Sequence, residues 1–132
     1  MSYPKPNYKR RKPRKRERGQ INKKQYQLAL DWFGDTCTIC GSKPIEMHHI
    51  QPRARAGRGG YRNLMPLCKT HHLKAHSDES FGDSLRDERA EIYGKLYYAD
   101  RFDLHDAGLI DEPTEEAFEN YMKTWEGRKW RN

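Results

Sequence analysis

Five of the six histidines in this chain lie between residues 47 and 76, and four of them form the adjacent pairs His48–His49 and His71–His72. Neighbouring side chains point in different directions on a strand and on a helix. The two rings of one pair therefore cannot easily serve a single site. The sequence predicts that each pair divides its imidazoles between two different tasks.

Three cysteines and one of these histidines form two closely spaced pairs. Two residues separate Cys37 from Cys40, and two residues separate Cys68 from His71. Four ligands of these types in two close pairs are typical of a tetrahedral structural zinc site. An odd number of cysteines also disfavours a framework built only of disulfides. The alternative, that the cysteines are ordinary small core residues, does not explain the paired spacing.

The second histidine of the later pair indicates a second metal site. His72 and His76 stand four residues apart in a predicted helix and share one face, whereas His71 points about 100° away. Two imidazoles at this spacing can bind a metal ion, and His48 on a predicted strand is the natural third ligand. His49 faces away from its neighbour and stays free of metal. A free imidazole beside a bound ion can act as a general base near neutral pH.

The length of 132 residues predicts one domain, and the composition predicts a thin apolar core. Only 34% of the residues are hydrophobic and 34% are charged, and the mean hydropathy is −1.22. A small polar chain commonly needs a metal ion or disulfides to hold its fold. Zinc bound to the two ligand pairs would stabilise a domain of this kind.

Hydrophobic periodicity predicts short strands between helices, which is an α+β fold. A helix is expected over residues 20–33 with Gly34 after its end, and amphipathic helical stretches are expected over residues 83–101 and after Pro113. The segments nearest the cysteines and histidines are predicted as a strand over 44–50, an exposed loop over 51–62, a strand over 64–67 and a helix over 69–77.

The basic N-terminus defines the predicted domain boundary. Residues 1–19 combine dense positive charge with three prolines, a composition that cannot bury apolar area and is expected to be disordered when alone. Residues 20–132 are expected to form a single domain, with its core at 37–76 and its C-terminal helices at 83–126.

The net charge of +7 is unevenly distributed. Residues 1–24 carry a net charge of +10 and residues 48–76 carry +6 without any carboxylate, whereas residues 77–132 carry −7. Basic blocks of this kind are expected to contact an anionic partner such as nucleic acid. The alternative is a solubility tail at the N-terminus and solvated surface charges elsewhere. The candidate phosphate ligands are Lys9, Arg10, Arg11, Lys12, Arg14, Lys15 and Arg16 in the arm and Arg53, Arg55, Arg58, Arg62, Lys69 and Lys74 in the second block.

The sequence also predicts where the protein acts. No segment is long and apolar enough to span a membrane, and no apolar run follows the basic N-terminus as it would in a secretory signal. Reduced thiols are typical of an intracellular protein. We therefore expect a cytoplasmic protein that is not associated with a membrane. The expected nucleic-acid partner favours a location on the nucleoid.

The segment from residue 37 to 76 resembles the HNH endonuclease family, part of the His-Me finger or ββα-metal nucleases. The matching pieces are "CTIC", "HHI" followed by "QPR", "GGYRNL", "LCKTHH" and "LKAH". Their order is more specific than any one piece. A histidine ends a strand, an asparagine lies in the middle and a histidine opens a helix, here His49, Asn63 and His72.

The resemblance implies a zinc-stapled ββα-metal core with flanking helices. Two positions depart from the usual pattern of the family. The family often has Asp at the place of His48, and some members have a second Cys-x2-Cys pair where this chain has Cys68 and His71. Zinc accepts either thiolate or imidazole, so the second departure changes little.

The resemblance further implies a metal-dependent endonuclease that hydrolyses DNA. In such nucleases the histidine at the place of His49 activates water for in-line attack on the scissile phosphate, while a metal ion neutralises charge on the phosphate and on the leaving 3′ oxygen. His48, His72 and His76 would hold that ion. Asn63 would orient His49 through a backbone contact.

Two cofactors are implied: one structural Zn²⁺ and one catalytic divalent ion. Mg²⁺, Mn²⁺, Co²⁺, Ni²⁺ and Zn²⁺ are all candidates for the catalytic ion. Three imidazoles without a carboxylate favour the last four on ligand grounds, although phosphate and water oxygens can complete the coordination of Mg²⁺.

Two other functions stay open at this stage. One is a non-catalytic zinc-binding module that binds nucleic acid, and the other is a toxin-type nuclease that acts on RNA or host DNA. By analogy alone, the small size and the basic arm suit a phage or mobile-element enzyme that acts on double-stranded DNA. A homodimer, or a phage packaging or replication partner, would fit the same context.

Overall fold

The computed structural model describes residues 12–126, and within this range the chain forms six α-helices and one two-stranded sheet. None of these helices combines the length and the apolar character needed to cross a bilayer. The helices are α1 (Lys15–Arg18), α2 (Lys23–Phe33), α3 (Lys69–Ser77), α4 (Glu79–Tyr93), α5 (Arg101–Asp106) and α6 (Glu115–Lys123), and the strands are β1 (Glu46–His49) and β2 (Leu64–Leu67).

The two strands pair antiparallel and lead directly into α3. Glu46 lies opposite Leu67, and His49 lies opposite Leu64. All of β2 is buried, whereas in β1 the His48 side chain is buried and the Glu46 side chain is exposed. Two antiparallel strands followed by a helix form a ββα unit, and the mixed architecture confirms the predicted α+β fold.

Local sequence signals set the ends of the helices that flank the sheet. The Asn22 side chain accepts a hydrogen bond from a backbone N–H of the first turn and begins α2, and Gly34, at φ 89°, ends it. The cap of α3 is a cysteine, because Cys68 Sγ accepts from the His71 backbone N–H at 3.5 Å. This cap fixes the first turn of α3 and so the directions of the His71 and His72 rings.

The apolar core is small and lies between the ββα unit and α4. Ile50 and Leu67 pack against Leu85 and Tyr93 of α4, while α5 and α6 contribute a separate small cluster of their own. The core is thin, as the composition predicts, and arginines fill part of the interior.

One of these buried arginines braces the start of β2. The Arg89 side chain is 3% exposed and donates to the backbone oxygens of Arg62 (2.9 Å) and Leu64 (2.8 Å). Its guanidinium lies 4.1 Å from the centre of the Phe33 ring, and burial lowers the pKa of Arg89 to about 10. Arg89 therefore holds the backbone on both sides of Asn63.

The C-terminal helices are divided differently from the sequence prediction of one stretch over 83–101. The observed α4 begins at Glu79 and ends at Tyr93. Gly94 follows at φ 89°, and a Cβ there would lie 3.0 Å from the Trp125 side chain, so both the backbone and the space favour glycine. The next helix, α5, begins after Asp100, whose side chain caps it. Two local signals, a glycine and an N-cap, thus divide the predicted stretch.

The predicted arm also ends earlier than residue 19. Residues 15–18 form α1, Gly19 is buried, and the Arg18 side chain is only 6% exposed. This part of the arm is ordered because Arg18 pairs with carboxylates of α5, which charge density alone does not predict. Residues 1–11, with the candidate phosphate ligands Lys9, Arg10 and Arg11, lie outside the described residues.

Candidate functional site

The structure brings Cys37, Cys40, Cys68 and His71 together in what we call the thiolate cluster. Cys40 Sγ lies 3.8 Å from Cys68 Sγ. His71 Nδ1 lies 3.2 Å from Cys68 Sγ and 3.6 Å from Cys37 Sγ. Sulfur ligands about 2.3 Å from a tetrahedral zinc ion are about 3.8 Å from one another, and a shorter Zn–N bond brings a nitrogen closer. The four ligand atoms therefore have the spacing of a zinc site.

Backbone hydrogen bonds connect the thiolate cluster to the sheet and lower the pKa of two of its thiols. Thr38 N donates to Pro66 O of β2 at 2.9 Å. The His71 backbone N–H lowers the pKa of the Cys68 thiol to about 6. Burial raises the pKa of the Cys37 thiol, but hydrogen bonds led by the Cys68 backbone N–H outweigh it and lower the pKa. Since zinc binds the thiolate form, these contacts favour the metal.

A second group, the imidazole cluster, contains His48, His72 and His76. His72 Nε2 and His76 Nε2 lie 3.1 Å apart, and the centre of the His48 ring lies 5.1 Å from the centre of each of the other two rings. Two nitrogens each about 2.1 Å from one metal ion are about 3.0–3.4 Å apart. The three rings thus converge as metal ligands do, and the adjacent pair His71–His72 is divided between the two clusters.

The buried ring of His48 has the chemical state of a metal ligand. Its Nδ1 has no hydrogen-bond partner among residues 12–126, and a buried polar atom of this kind is costly unless something binds it. Burial, followed by the charges of His72 and His76, lowers the pKa of His48 to about 3. The ring is therefore neutral at neutral pH, which is the form that binds a metal ion. A divalent cation fits this donor set.

Glu46 is a member of the site that the sequence reasoning missed. Its Oε1 lies 2.6 Å from His72 Nδ1. Because an ionised carboxylate only accepts, His72 Nδ1 carries the proton and Nε2 presents its lone pair toward His76. The signal was available, since Glu46 and His48 are two residues apart on a strand and so project from the same face.

His49 is held by a contact from outside the ββα unit. Its Nε2 lies 2.7 Å from the backbone oxygen of Gly19. A carbonyl oxygen only accepts, so Nε2 donates and the Nδ1 of the neutral ring keeps its lone pair. Burial lowers the pKa of His49, and the hydrogen bond to Gly19 acts in the opposite direction. A neutral imidazole with one free nitrogen is the form that a general base needs.

Asn63, 1% exposed, holds the loop between β1 and β2. Its Oδ1 accepts from Gln51 N at 2.8 Å, and its Nδ2 donates to Arg58 O at 2.9 Å. Its backbone oxygen accepts from Ile50 N at 2.9 Å. Asn63 therefore closes the loop directly after His49, although the carbonyl that contacts the His49 ring belongs to Gly19.

Two of the candidate phosphate ligands in the loop are corrected by the structure. Arg58 is 6% exposed and Arg62 is 3% exposed. Arg58 donates to both oxygens of Asp103 at 2.9 Å, and Arg62 donates to Glu119 at 3.0 Å and also pairs with Glu126. Buried guanidiniums that are already paired are not available to a phosphate. No local pattern in the sequence indicates these pairs, because the carboxylates of Asp103 and Glu119 lie 45 and 57 residues away in the chain.

The other candidate cations remain at the surface. Lys12, Arg14, Lys15 and Arg16 lie on or beside α1, Arg53 and Arg55 in the loop, and Lys69 and Lys74 on α3, and all are exposed. Lys12 pairs with Asp106 of α5, and Arg53 donates to the backbone oxygen of Arg16 at 3.0 Å. The exposed loop and α3 cations border the imidazole cluster along the chain and are accessible to an anion.

An additional arginine lies next to the imidazole cluster. A surface cavity of about 370 Å³ is lined by His76 together with Arg55 and Arg86. Arg86 donates to the backbone oxygen of Ile50 at 3.5 Å and pairs with Asp83. Its positive charge contributes to the lowered pKa of His48. Arg86 lies in α4, beyond the segment with the motif, so the sequence reasoning did not include it.

Comparison with known proteins shows which family the segment with the two clusters is similar to. Residues 37–78 match the family model described as HNH endonuclease, which confirms the resemblance over the segment that carries both clusters. The chain is also 30% identical over 82 residues to a protein of Sarcophyton glaucum described as a mitochondrial DNA mismatch repair protein mutS homolog. That match covers 58% of this chain and only 8% of the relative. No solved structure matches the chain with comparable significance.

The family match covers the same segment of the chain as both clusters, and this segment is similar to the HNH domain of nucleases that act on nucleic acid. The thiolate cluster can hold zinc, and nucleases of this family use a divalent metal ion.

Proposed function

We propose that this chain is a metal-dependent endonuclease that hydrolyses phosphodiester bonds of DNA, with His49 as the general base. One observation carries the proposal. The ring of His49 is locked by its Nε2 to a carbonyl, 2.7 Å away, directly beside a ligand of the imidazole cluster. An unligated base next to a three-histidine metal site is a minimal set for hydrolysis of a phosphodiester.

His49 would accept the proton of the attacking water. A water molecule gives a proton to His49 Nδ1, and the resulting hydroxide oxygen forms a bond to phosphorus. The bond from phosphorus to the 3′ oxygen then breaks, and that oxygen takes a proton from solvent. His49 returns its proton to solvent and regains the neutral form. Asn63 keeps the strand end and the loop in place during this exchange through its hydrogen bonds to Gln51 and Arg58.

His48, His72 and His76 would hold the catalytic ion, which neutralises charge on the phosphate and on the departing 3′ oxygen when it is bound. Glu46 fixes the tautomer of His72 for this task. We expect activity with several of Mg²⁺, Mn²⁺, Co²⁺, Ni²⁺ and Zn²⁺. The thiolate cluster would hold one structural Zn²⁺ and would not change its ligands during the reaction.

Exposed cations would bind the phosphates on either side of the scissile one. Arg55 and Arg86 line the cavity beside His76 and would contact the scissile or the adjacent phosphate. Arg53, Lys69 and Lys74 extend the positive surface. The arm would follow the backbone further from the site through Lys9, Arg10, Arg11, Lys12, Arg14, Lys15 and Arg16. A double-stranded substrate, a phage or mobile-element origin and a nucleoid location belong to the same proposal and rest on analogy.

Nicking of supercoiled plasmid by the zinc-loaded protein tests the proposal directly. The wild type, His49→Ala and the matched control His105→Ala are compared with each of the five divalent ions. His105 is exposed and lies outside both clusters. We expect His49→Ala to lose about 10²–10⁴-fold in rate while its DNA affinity is retained, and His105→Ala to cleave like the wild type.

Other outcomes would decide between the remaining functions. If the wild type binds DNA but cleaves neither DNA nor RNA with any ion, the chain is a non-catalytic zinc-binding module. If it cleaves RNA in preference to plasmid, the site is that of a toxin-type nuclease. Equal cleavage by His49→Ala and the wild type would remove His49 from the role of base.

A further inference from the structure

The backbone oxygen that holds the candidate base comes from a segment outside the family match. Gly19 precedes the matched residues 37–78, yet its oxygen lies 2.7 Å from His49 Nε2. Glycine has no side chain whose contacts could hold this carbonyl in place. Its position therefore depends on whatever fixes the chain around residues 15–20.

Arg18 is the principal anchor of that segment. Its Nε donates to Asp100 Oδ2 at 2.6 Å, and its Nη2 donates to Asp100 Oδ1 at 2.7 Å and to Asp103 Oδ1 at 2.8 Å. The Arg18 side chain is 6% exposed, and the two carboxylates are 23% and 25% exposed. The bidentate pairing with Asp100 raises the pKa of Arg18. A bidentate, largely buried pair fixes both position and direction.

The same segment is tied to the loop on its other side. Gly59 N donates to Arg18 O at 3.0 Å. A Cβ at Gly59 would lie 1.9 Å from Gln20 O, so only glycine allows this close approach of the two backbones. Gly19 is thus fixed from both sides. The ion pairs of Arg18 hold the preceding residue, and the Gly59 backbone lies against Arg18 and Gln20.

The two carboxylates of α5 connect these contacts into one network. Asp103 also accepts both hydrogen bonds of Arg58, and Arg58 O in turn accepts from the Asn63 side chain. Asp100 and Asp103 additionally cap each other's backbone at the start of α5. Helix α5 therefore holds both the segment that contacts the His49 ring and the loop that follows β1.

We propose that Arg18, through its ion pairs with Asp100 and Asp103, is a positioning residue for His49. It holds the Gly19 carbonyl against Nε2 and so selects the tautomer in which Nδ1 is free to take the proton from water. This inference rests on the proposed function, because only a base needs the free nitrogen. It extends the working site beyond the family segment to α1 and α5.

Matched arginine variants test the inference in the full-length, zinc-loaded protein. Arg18→Gln removes the charge, Arg18→Lys keeps it, and Arg101→Gln is the control. Arg101 lies at the start of α5, next to the carboxylate of Asp100 in the chain, pairs with Glu115 at 3.9 Å and belongs to neither cluster. Melting temperature and zinc content establish that each variant is folded. Asp100→Asn, which keeps a good N-cap for α5, provides a second route if Arg18→Gln does not fold.

The expected result is a loss in kcat without a matching change in KM. For Arg18→Gln and Asp100→Asn we expect kcat to fall about 10–100-fold, with KM near the wild-type value because no phosphate contact is removed. Arg18→Lys should recover part of the rate. A folded Arg18→Gln with the kcat of the wild type, or one that changes KM alone, would overturn the inference.

A measurement without catalysis keeps this inference separate from the proposed function. Nitrogen-15 spectra of the His49 ring distinguish the two neutral tautomers. We expect the Nε2–H form to dominate in the wild type and in Arg101→Gln, and a mixture in Arg18→Gln. If the wild type cleaves nothing, the proposed function fails, and the ring spectrum still decides whether Arg18 fixes the tautomer. Identical spectra in wild type and Arg18→Gln contradict the inference.

Discussion

The thiolate cluster and the imidazole cluster each take one ring of the pair His71–His72, but they differ in completeness. The thiolate cluster offers four ligands, which fills the coordination of a tetrahedral zinc ion. The imidazole cluster offers three and leaves positions for water or phosphate. The two rings differ by one step along α3, and that step places them in different clusters.

The surroundings of the two clusters differ in the same sense. Backbone N–H groups hold the thiolate cluster: Thr38 N donates to β2, and His71 N donates to Cys68 Sγ in the first turn of α3. The imidazole cluster has charged side chains next to it. Glu46 accepts a hydrogen bond from His72, and the charge of Arg86 acts on His48. A site that only braces the fold needs rigid ligands, whereas a site that reacts also needs groups that orient rings and attract substrate.

The largest expected effect follows from removing a ligand of the complete cluster. Cys37→Ser should abolish zinc binding and prevent stable folding, because structural zinc contributes about 10–16 kcal/mol to small domains and the apolar core here is thin. Zinc content by mass spectrometry and the melting temperature measure both effects. A variant that keeps one equivalent of zinc and the full melting temperature would show that the cluster is not structural.

Removing a ligand of the imidazole cluster should lower the cleavage rate and leave folding and zinc binding intact. We expect His72→Ala to fold with its zinc and with a melting temperature close to that of the wild type, because this ring is partly exposed. Its nicking rate should fall by at least about 100-fold with any divalent ion. His105→Ala serves as the control histidine. If His72→Ala loses zinc and unfolds as Cys37→Ser does, the two clusters do not differ in role.

A substitution that changes a single atom of Glu46 tests the imidazole cluster alone. Glu46→Gln keeps the size of the side chain and an oxygen acceptor, but it removes the negative charge beside His72 Nδ1, which lies 2.6 Å from Oε1. We expect metal affinity or rate to fall about 10–100-fold and zinc at the thiolate cluster to be unchanged. Titration with Mn²⁺ monitored by activity measures the effect, and Glu112→Gln, an exposed residue away from both clusters, is the control. An unchanged Mn²⁺ dependence would mean that Glu46 is only a surface carboxylate.

Sequence reasoning located both clusters because their ligands follow local periodicities. The spacing of His72 and His76 is a property of a helix, and the Cys-x2-Cys and Cys-x2-His pairs are properties of tight turns. Strand β2 was predicted at its observed bounds, 64–67, since a short apolar run lies between Asn63 and Cys68. Each of these features depends only on residues that are near one another in the chain.

Features that depend on distant partners could not be predicted in this way. Arg58 and Arg62 read as exposed loop cations, but their carboxylates lie 45 or more residues away in the chain. The contact of Gly19 with His49 involves a backbone oxygen, which every residue has and no residue type marks. Long-range pairing therefore decided which of the basic residues are structural and which remain free for a substrate.

Two truncations distinguish the part of the arm that binds from the part that supports the base. Deleting residues 2–11 removes Lys5, Lys9, Arg10 and Arg11. Both clusters should survive and kcat should stay the same, while DNA affinity falls and the slope of log K against log salt decreases by up to about 4. Deleting residues 2–19 should lower kcat as well, because Arg18 and Gly19 leave with it. Affinity and salt slope by fluorescence anisotropy, with kcat by nicking, separate the two. If both truncations change affinity alone, the N-terminal segment serves the substrate and not His49.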